Sequence, residues 1–300
     1  MSAAADGRLP APVSRAAKQA VRGFATATSP LRPAPEFLVI GAKRGGTTSM
    51  YNYLLRHPGV LPMFPAAQKI KGVHHFTGSG HGVAWYRSHF ATSATRRLTE
   101  RRLGHRVVTG EGSPYYLFHP RAAQRASAVL PDARILLLLR DPVDRAYSHW
   151  KERVRHGAET LSFSEAVERE PERLAGEHER LLADDRYTSF AHEHHSYVAQ
   201  GLYLEPLREW FRHYPRGQFL ILRSEDFYAD PQHAYDRALS FLGLPSFALS
   251  GIKKWNYHPA EELSAATRRD LQARVADHNR RLSELLGIDL GWSGADASAP

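Results

Sequence analysis

Residues 39–54, VIGAKRGGTTSMYNYL, combine an apolar strand, a glycine-containing turn and a helix start that is rich in hydroxyl groups. A turn of this kind places backbone amides at a helix N-terminus, where they can bind phosphate. The loop of nucleotide triphosphatases reads G-x-x-x-x-G-K-[ST], but here Thr47 stands where its lysine is expected. The candidate cations come earlier, at Lys43 and Arg44. The stretch predicts a phosphate site without the usual lysine; a plain glycine turn before a helix is the alternative.

The rest of the chain alternates between apolar strands and helices. Further strands are predicted in the stretches HRVVTGE, ARILLLLRDP and QFLILRSEDF. Helices are predicted over residues 47–56, 202–213, 231–242 and 267–286, in the stretch from Pro120, and after Asp141 as N-cap with Pro142 in the first position. This order predicts an α/β fold, with a P-loop-like parallel sheet flanked by helices on both faces. Ligands of such sheets bind beyond the carboxyl ends of the strands.

We predict three regions: a flexible basic arm over residues 1–35, one domain over 36–292, and a disordered tail over 293–300. The arm is rich in Ala, Arg, Ser and Pro and has a single acid, Asp6. An organellar transit peptide is the alternative interpretation of the arm, which has no long apolar stretch typical of a secretory signal. No run approaches the roughly 18–20 apolar residues of a membrane span. We expect a cytoplasmic protein, with peripheral contact to a membrane as an alternative.

The charge balance narrows the ligand class. Lysine and arginine number 40 and the acids 31, a net charge of +9. Such a surface is either simply well solvated or attracts an anionic ligand, a nucleic acid or an acidic membrane. The chain has no cysteine, which excludes disulfides, thiolate zinc sites and a thiol nucleophile.

The strand ILLLL supplies a second indication of phosphate binding. A nucleotide triphosphatase needs an acid at the end of such a strand to hold Mg²⁺. This strand leads instead into Arg140, and Ser148 follows eight residues later, about two turns into the next helix. The sequence therefore predicts two phosphate sites and no metal site.

Together these motifs resemble the sulfotransferases that use 3′-phosphoadenosine-5′-phosphosulfate (PAPS), in particular the branch of heparan sulfate sulfotransferases and their bacterial relatives. The resemblance covers roughly residues 36–292 and rests on the segments RGGTTS, GEGSPYYLFHP and LRDPVDRAYSHW, and on the stretches around residues 201–231 and 274–287. It implies a metal-independent transfer of a sulfuryl group from PAPS to a hydroxyl of a carbohydrate, glycolipid or small metabolite. It implies no nucleic acid partner.

The resemblance also assigns the donor site. The loop that binds the 5′-phosphosulfate corresponds to Lys43, Arg44, Gly45, Gly46, Thr47, Thr48 and Ser49. Arg140 and Ser148 would hold the 3′-phosphate, and Lys253 and Lys254 would belong to a basic loop that closes over it. The family's key lysine aligns with Arg44, to which we assign charge stabilisation on the bridging oxygen. Lys43 could replace it if the loop turns it inward.

A second departure concerns the proton acceptor. Relatives often read K-E-x-H-F-F, with the glutamate as base, whereas QKIKGVHHF matches at Lys71, His74 and Phe76 but has Gly72 at the acid. Histidine is the commonest base near neutral pH, so His74 is the first candidate, then His75 and Glu111. The histidines at 192, 194 and 195 could line an acceptor site or a solvated loop. The rival hypotheses are a P-loop kinase with a displaced lysine and a non-enzymatic module that binds nucleotides or polyanions.

Overall fold

The computed structural model describes residues 11–78, 80–251 and 263–292. Lys253, Lys254 and the predicted tail at 293–300 lie outside the described residues. The described part contains a five-stranded sheet in the order β2-β3-β1-β4-β5, and every pair of neighbouring strands is parallel. The strands are β1 Phe37–Gly41, β2 Val60–Leu61, β3 Val108–Glu111, β4 Arg134–Leu139 and β5 Phe219–Arg223. The predicted α/β fold with a parallel sheet is confirmed.

Helices occupy most of the connections between the strands. They are α1 Ala11–Ala27, α2 Thr47–Leu54, α3 Val83–Arg87, α4 Ser93–Leu103, α5 Ala122–Val129, α6 Pro142–Arg155, α7 Phe163–Leu174, α8 Glu177–Ala183, α9 Phe190–His194, α10 Leu204–His213, α11 Ser224–Ala229, α12 Pro231–Leu242 and α13 Ala265–Leu286. None of the helices among the described residues is long and apolar enough to cross a lipid bilayer.

The sheet is covered on both faces, which explains its continuous apolar strands. In β4, Ile135 and Leu137 pack in one hydrophobic cluster, while Leu136 and Leu138 pack in another. Successive side chains of a strand point to opposite faces, so an unbroken apolar run is expected where helices cover both. β1 is buried along its whole length for the same reason.

The predicted strands and helices are present in the structure, and the differences concern elements that were not predicted. The side chain of Asp141 caps α6 by accepting hydrogen bonds from the amides of Val143 and Asp144, both at 2.9 Å. The two-residue strand β2 and the helices α3, α4, α7, α8, α9 and α11 were not predicted. Most of them are short, and α4 has few apolar residues. α7 was missed although the sequence carries its signal, an apolar face and a capping box formed by Ser162 and Glu165.

The structure describes the segment predicted as a flexible arm, residues 1–35, from residue 11 onward. Residues 11–27 form α1, whose Ala25 is fully buried. Arg22 donates hydrogen bonds to Ser88 Oγ (2.9 Å) and to the carbonyl of Phe64 (3.1 Å). Alanine has the highest helix propensity, so an alanine-rich segment becomes helical once such contacts fix one of its faces.

Candidate functional site

The loop between β1 and α2 owes its shape to two glycines. A Cβ atom on Gly45 would lie 2.5 Å from the carbonyl oxygen of Leu138, and Gly46 has φ of +97°. Gly46 is the N-cap of α2 and offers no side chain to the amides of the first turn. Those amides carry the positive end of the helix dipole, so the head of α2 has the properties of an anion site.

Three residues that the sequence assigned to phosphate binding meet beside this loop. Arg44 Nε donates to Ser148 Oγ at 3.0 Å, across from the loop to α6. Arg140 follows β4 and donates from Nη1 to the carbonyl of Arg44 at 3.3 Å. The carboxyl ends of β1 and β4 therefore bring two guanidinium groups and one hydroxyl together, a set suited to a phosphate group.

The loop cations do not point to the head of α2. Arg44 extends to α6, where its Nη1 lies 3.3 Å from Glu152 Oε1. Lys43 extends to α9, where its Nζ donates to the carbonyl of Glu193 (3.0 Å) and lies 3.2 Å from His194 Nδ1. Burial lowers the pKa of Lys43 to about 8, although Glu193 opposes the shift. The role of Arg44 on the bridging oxygen stays a prediction.

The cation at the head of α2 is Lys71, which the sequence did not assign to the site. Its Nζ donates to Thr47 Oγ1 at 2.9 Å and to Thr48 Oγ1 at 3.1 Å. Burial lowers the pKa of Lys71 to about 8, against the opposing charge of Glu111. The match of Lys71 to the family pattern in QKIKGVHHF was the signal that could have identified it. Ser49, assigned to the loop, is instead fully buried.

The two adjacent histidines have different surroundings. His74 has φ of +50°, and its charged neighbours are Glu193, Lys43 and Lys71. Burial lowers the pKa of His74; Glu193 opposes the shift, and the two lysines add to it. His75 stacks on Tyr86 with ring centroids 4.7 Å apart, and burial lowers its pKa to about 4. Of the two, His74 is the imidazole near Lys43 and Lys71, and its lowered pKa favours the neutral ring.

Glu111 anchors the segment that carries these histidines. It is fully buried and accepts hydrogen bonds from Ser113 Oγ (2.6 Å), from the hydroxyls of Tyr116 (2.7 Å) and Tyr86 (3.4 Å), and from the amide of Val73 (3.3 Å). Burial raises the pKa of its carboxyl. The carboxyl group of Glu111 is therefore surrounded by its donors and has no exposed surface. The roles of Glu111 and His74 as candidate bases stay predictions.

The glycine at the position of the family's glutamate is enclosed. A Cβ atom on Gly72 would lie 2.5 Å from the carbonyl oxygen of Gly112 and 2.5 Å from Ser113 Oγ. The two segments are joined by a hydrogen bond from the amide of Gly112 to the carbonyl of Lys71, at 2.8 Å. The close approach of the two segments leaves no room for a side chain at position 72. Packing therefore explains why a glycine, and not an acid, occupies this position.

Two acids close to the site were not among the residues that the sequence assigned to it, although both lie on helices that carry assigned residues. Glu152 of α6 lies between Arg44 and Arg153. Glu193 of α9 neighbours His74 and Lys43, and Gln200 Nε2 fixes its backbone by donating to its carbonyl at 2.9 Å. Within residues 11–78, 80–251 and 263–292, no three acidic or histidine side chains are grouped to hold a metal ion.

Comparison with known proteins identifies the family to which the chain is similar. A family model described as the sulfotransferase domain matches residues 34–282. The chain is 28% identical over 287 residues to heparan sulfate glucosamine 3-O-sulfotransferase 3A1 of Mus musculus, covering 87% of this chain and 65% of the mouse protein. It is 27% identical over 286 residues to bifunctional heparan sulfate N-deacetylase/N-sulfotransferase 3 of Homo sapiens, covering 84% of this chain and 30% of that protein.

A solved structure is also similar. The crystal structure of a sulfotransferase from Alicyclobacillus acidocaldarius matches with a TM-score of 0.65 and 28% identity, covering 87% of this chain and 99% of that one. The chain spans less than two thirds of the length of the mouse and human relatives.

Proposed function

The chain belongs to the sulfotransferase domain family, and on that premise we propose that it transfers a sulfuryl group from PAPS to an acceptor hydroxyl. The names of the mouse and human relatives contain heparan sulfate, which supports a carbohydrate acceptor. A hydroxyl of a glycolipid or of a small metabolite is the alternative acceptor. PAPS carries several negative charges, and the net charge of +9 fits a donor of that kind.

The convergence of Arg44, Arg140 and Ser148 at the carboxyl ends of β1 and β4 is the observation that carries this proposal. In the proposal, Arg140 and Ser148 hold the 3′-phosphate. The amides at the head of α2 and the ammonium group of Lys71 hold the 5′-phosphosulfate end. These residues fit the donor because PAPS is negatively charged at its 3′-phosphate and at its 5′-phosphosulfate, and the site offers a cation for each of these two ends.

The geometry favours this proposal over a P-loop kinase. Kinases and related triphosphatases use an acid near the end of a hydrophobic strand to hold Mg²⁺. Here β4 is followed by Arg140, and the next residue, Asp141, already accepts two hydrogen bonds as the cap of α6.

The other rival hypothesis is a non-catalytic binding module. Such a module differs from the proposed enzyme in that it would release no adenosine 3′,5′-bisphosphate over time.

The proposed chemistry needs a base of the protein next to the acceptor hydroxyl and cations of the protein next to the leaving group. PAPS supplies the sulfuryl group, and the bond from sulfur to the acceptor oxygen forms as the bond from sulfur to the bridging oxygen breaks. His74 takes the proton of the acceptor hydroxyl, for which its neutral imidazole is suited. Lys71, whose ammonium group lies at the head of α2, stabilises the charge that grows on the leaving phosphate oxygen, while Arg44 extends to Ser148 on α6.

The first test is a screen of acceptors with radiolabelled PAPS in the presence of a metal chelator. Formation of a labelled acceptor together with adenosine 3′,5′-bisphosphate supports the proposal. Turnover that requires Mg²⁺ and ATP would instead support the kinase. Binding without release of the bisphosphate would support the non-catalytic module.

The second test identifies the base with the acceptor found in that screen. His74→Ala is expected to lower the single-turnover rate by roughly 10²–10⁴-fold, the range for loss of a general base. Binding of adenosine 3′,5′-bisphosphate should change little, because His74 faces the acceptor. His75→Ala is the matched control, since His75 stacks on Tyr86. A rate within about threefold of wild type for His74→Ala, with collapse for Glu111→Gln, would assign the base to Glu111 instead.

A further inference from the structure

A carboxylate lies inside the cationic site of the donor. Glu152 Oε1 is 3.3 Å from Arg44 Nη1, and its Oε2 is 3.2 Å from Arg153 Nη2. The side chain of Glu152 is 18% exposed and that of Arg44 is 11% exposed, so this pair is largely shielded from water. The charges of Lys43 and Lys71 act on the same carboxylate. Glu152 is therefore an anion that interacts with several of the cations of this site.

Arg44 links this carboxylate to the proposed phosphate site. The guanidinium group of Arg44 donates from Nε to Ser148 and from Nη1 to Glu152, which lie one turn apart on α6. A guanidinium group binds two oxygens of one phosphate or carboxylate in this forked geometry. A phosphate that takes the hydroxyl of Ser148 would bring its oxygens to the same guanidinium group and close to the carboxylate of Glu152.

We propose that Glu152 is an internal anion of the donor site, which holds Arg44 when no nucleotide is bound and releases it when a phosphate enters. The inference rests on the proposed function in taking that phosphate to be the 3′-phosphate of PAPS. Glu152 is then a positioning residue: it keeps Arg44 extended along α6. It also weakens phosphate binding, because a phosphate must replace an existing ion pair and tolerate a nearby negative charge.

The carboxylate is charged under ordinary conditions. Burial acts to raise the pKa of Glu152, but Arg44, Arg153 and Lys43 outweigh it and hold the pKa below its usual value. Competition between Glu152 and phosphate is therefore expected throughout the neutral range.

The test compares Glu152→Gln with wild type by calorimetric titration with adenosine 3′,5′-bisphosphate. We expect Glu152→Gln to bind about 3- to 30-fold more tightly, the range for loss of one shielded ion pair. Glu172→Gln is the matched control. It removes the same charge at an exposed position that pairs with Arg169 on α7, and should leave the affinity unchanged. Unchanged or weaker binding by a folded Glu152→Gln protein, checked by circular dichroism, would overturn the proposal.

A double-mutant cycle tests whether the effect acts through Arg44. In an Arg44→Ala background, the gain in affinity from Glu152→Gln should be smaller than in wild type, because the contested cation is gone and only the repulsion between Glu152 and the phosphate remains. A gain as large as in the wild-type background would contradict competition for Arg44.

Titrations with adenosine 5′-phosphate and with inorganic phosphate distinguish a failure of this proposal from a failure of the proposed function. A gain confined to the 3′,5′-bisphosphate supports both. An equal gain for all three ligands keeps the internal anion and removes the assignment of the 3′-phosphate to this site. Failure of every variant to bind any of the three ligands would overturn both.

Discussion

Gly72→Ala is expected to destabilise the protein, contrary to the usual effect of replacing glycine. The new Cβ atom would lie 2.5 Å from the carbonyl oxygen of Gly112 and 2.5 Å from Ser113 Oγ. Both distances are well below normal van der Waals contact. The backbone carbonyl cannot turn away without straining the hydrogen bond from the amide of Gly112 to Lys71. Ser113 cannot move without loosening its hydrogen bond to Glu111, at 2.6 Å.

The magnitude follows from these two contacts. Overpacking a close-packed site costs about 1–3 kcal/mol, and loss of a hydrogen bond to a charged group costs about 1.5–3 kcal/mol. Because one movement relieves both clashes only in part, we expect a loss of about 2–4 kcal/mol in the free energy of unfolding. Gly217→Ala is the control. Its Cβ atom would meet nothing within 4 Å, so it should be neutral or stabilise by up to about 1 kcal/mol.

Urea denaturation followed by circular dichroism measures both variants. The midpoint should fall for Gly72→Ala without a change in slope, since the surface exposed on unfolding stays the same. If Gly72→Ala unfolds within about 0.5 kcal/mol of wild type, the range of a neutral surface change, then residues 71–73 do not approach residues 112–113 as described. The absence of an acid at position 72 would then need another explanation than packing.

Two further predictions concern the donor site. Arg140→Ala should weaken binding of adenosine 3′,5′-bisphosphate by on the order of 2–4 kcal/mol, the scale of a lost charge-assisted contact, and binding of adenosine 5′-phosphate far less. Equal losses for the two ligands in calorimetry would show that Arg140 does not meet the 3′-phosphate. Because the pKa of Lys71 is lowered to about 8, donor affinity should fall as the pH rises through that value and the ammonium group loses its charge. Lys71→Arg should reduce this fall, since guanidinium stays charged; a fall of undiminished size would point to Lys43, whose pKa is also about 8.

The sequence by itself determined the elements whose signals are local. The apolar run of β4 required a strand covered on both faces, and Asp141 followed by Pro142 required the start of a helix. The glycines at 45 and 46 marked the loop before α2. These signals lie within a few residues of the structure that they specify, because strand periodicity, helix capping and backbone freedom depend on neighbouring residues.

Only the tertiary structure decided which charged groups share the site. Lys43 lies one residue from Arg44, yet it extends to α9 and contacts Glu193, 150 positions away, while Arg44 extends to α6. Lys71 reaches Thr47 over 24 positions, and the match of Lys71 to the family pattern marks the residue without showing which groups it contacts. Such pairings depend on how helices pack over the sheet and on which cation is closest to an acid once water is excluded. Those distances exist only after the chain has folded.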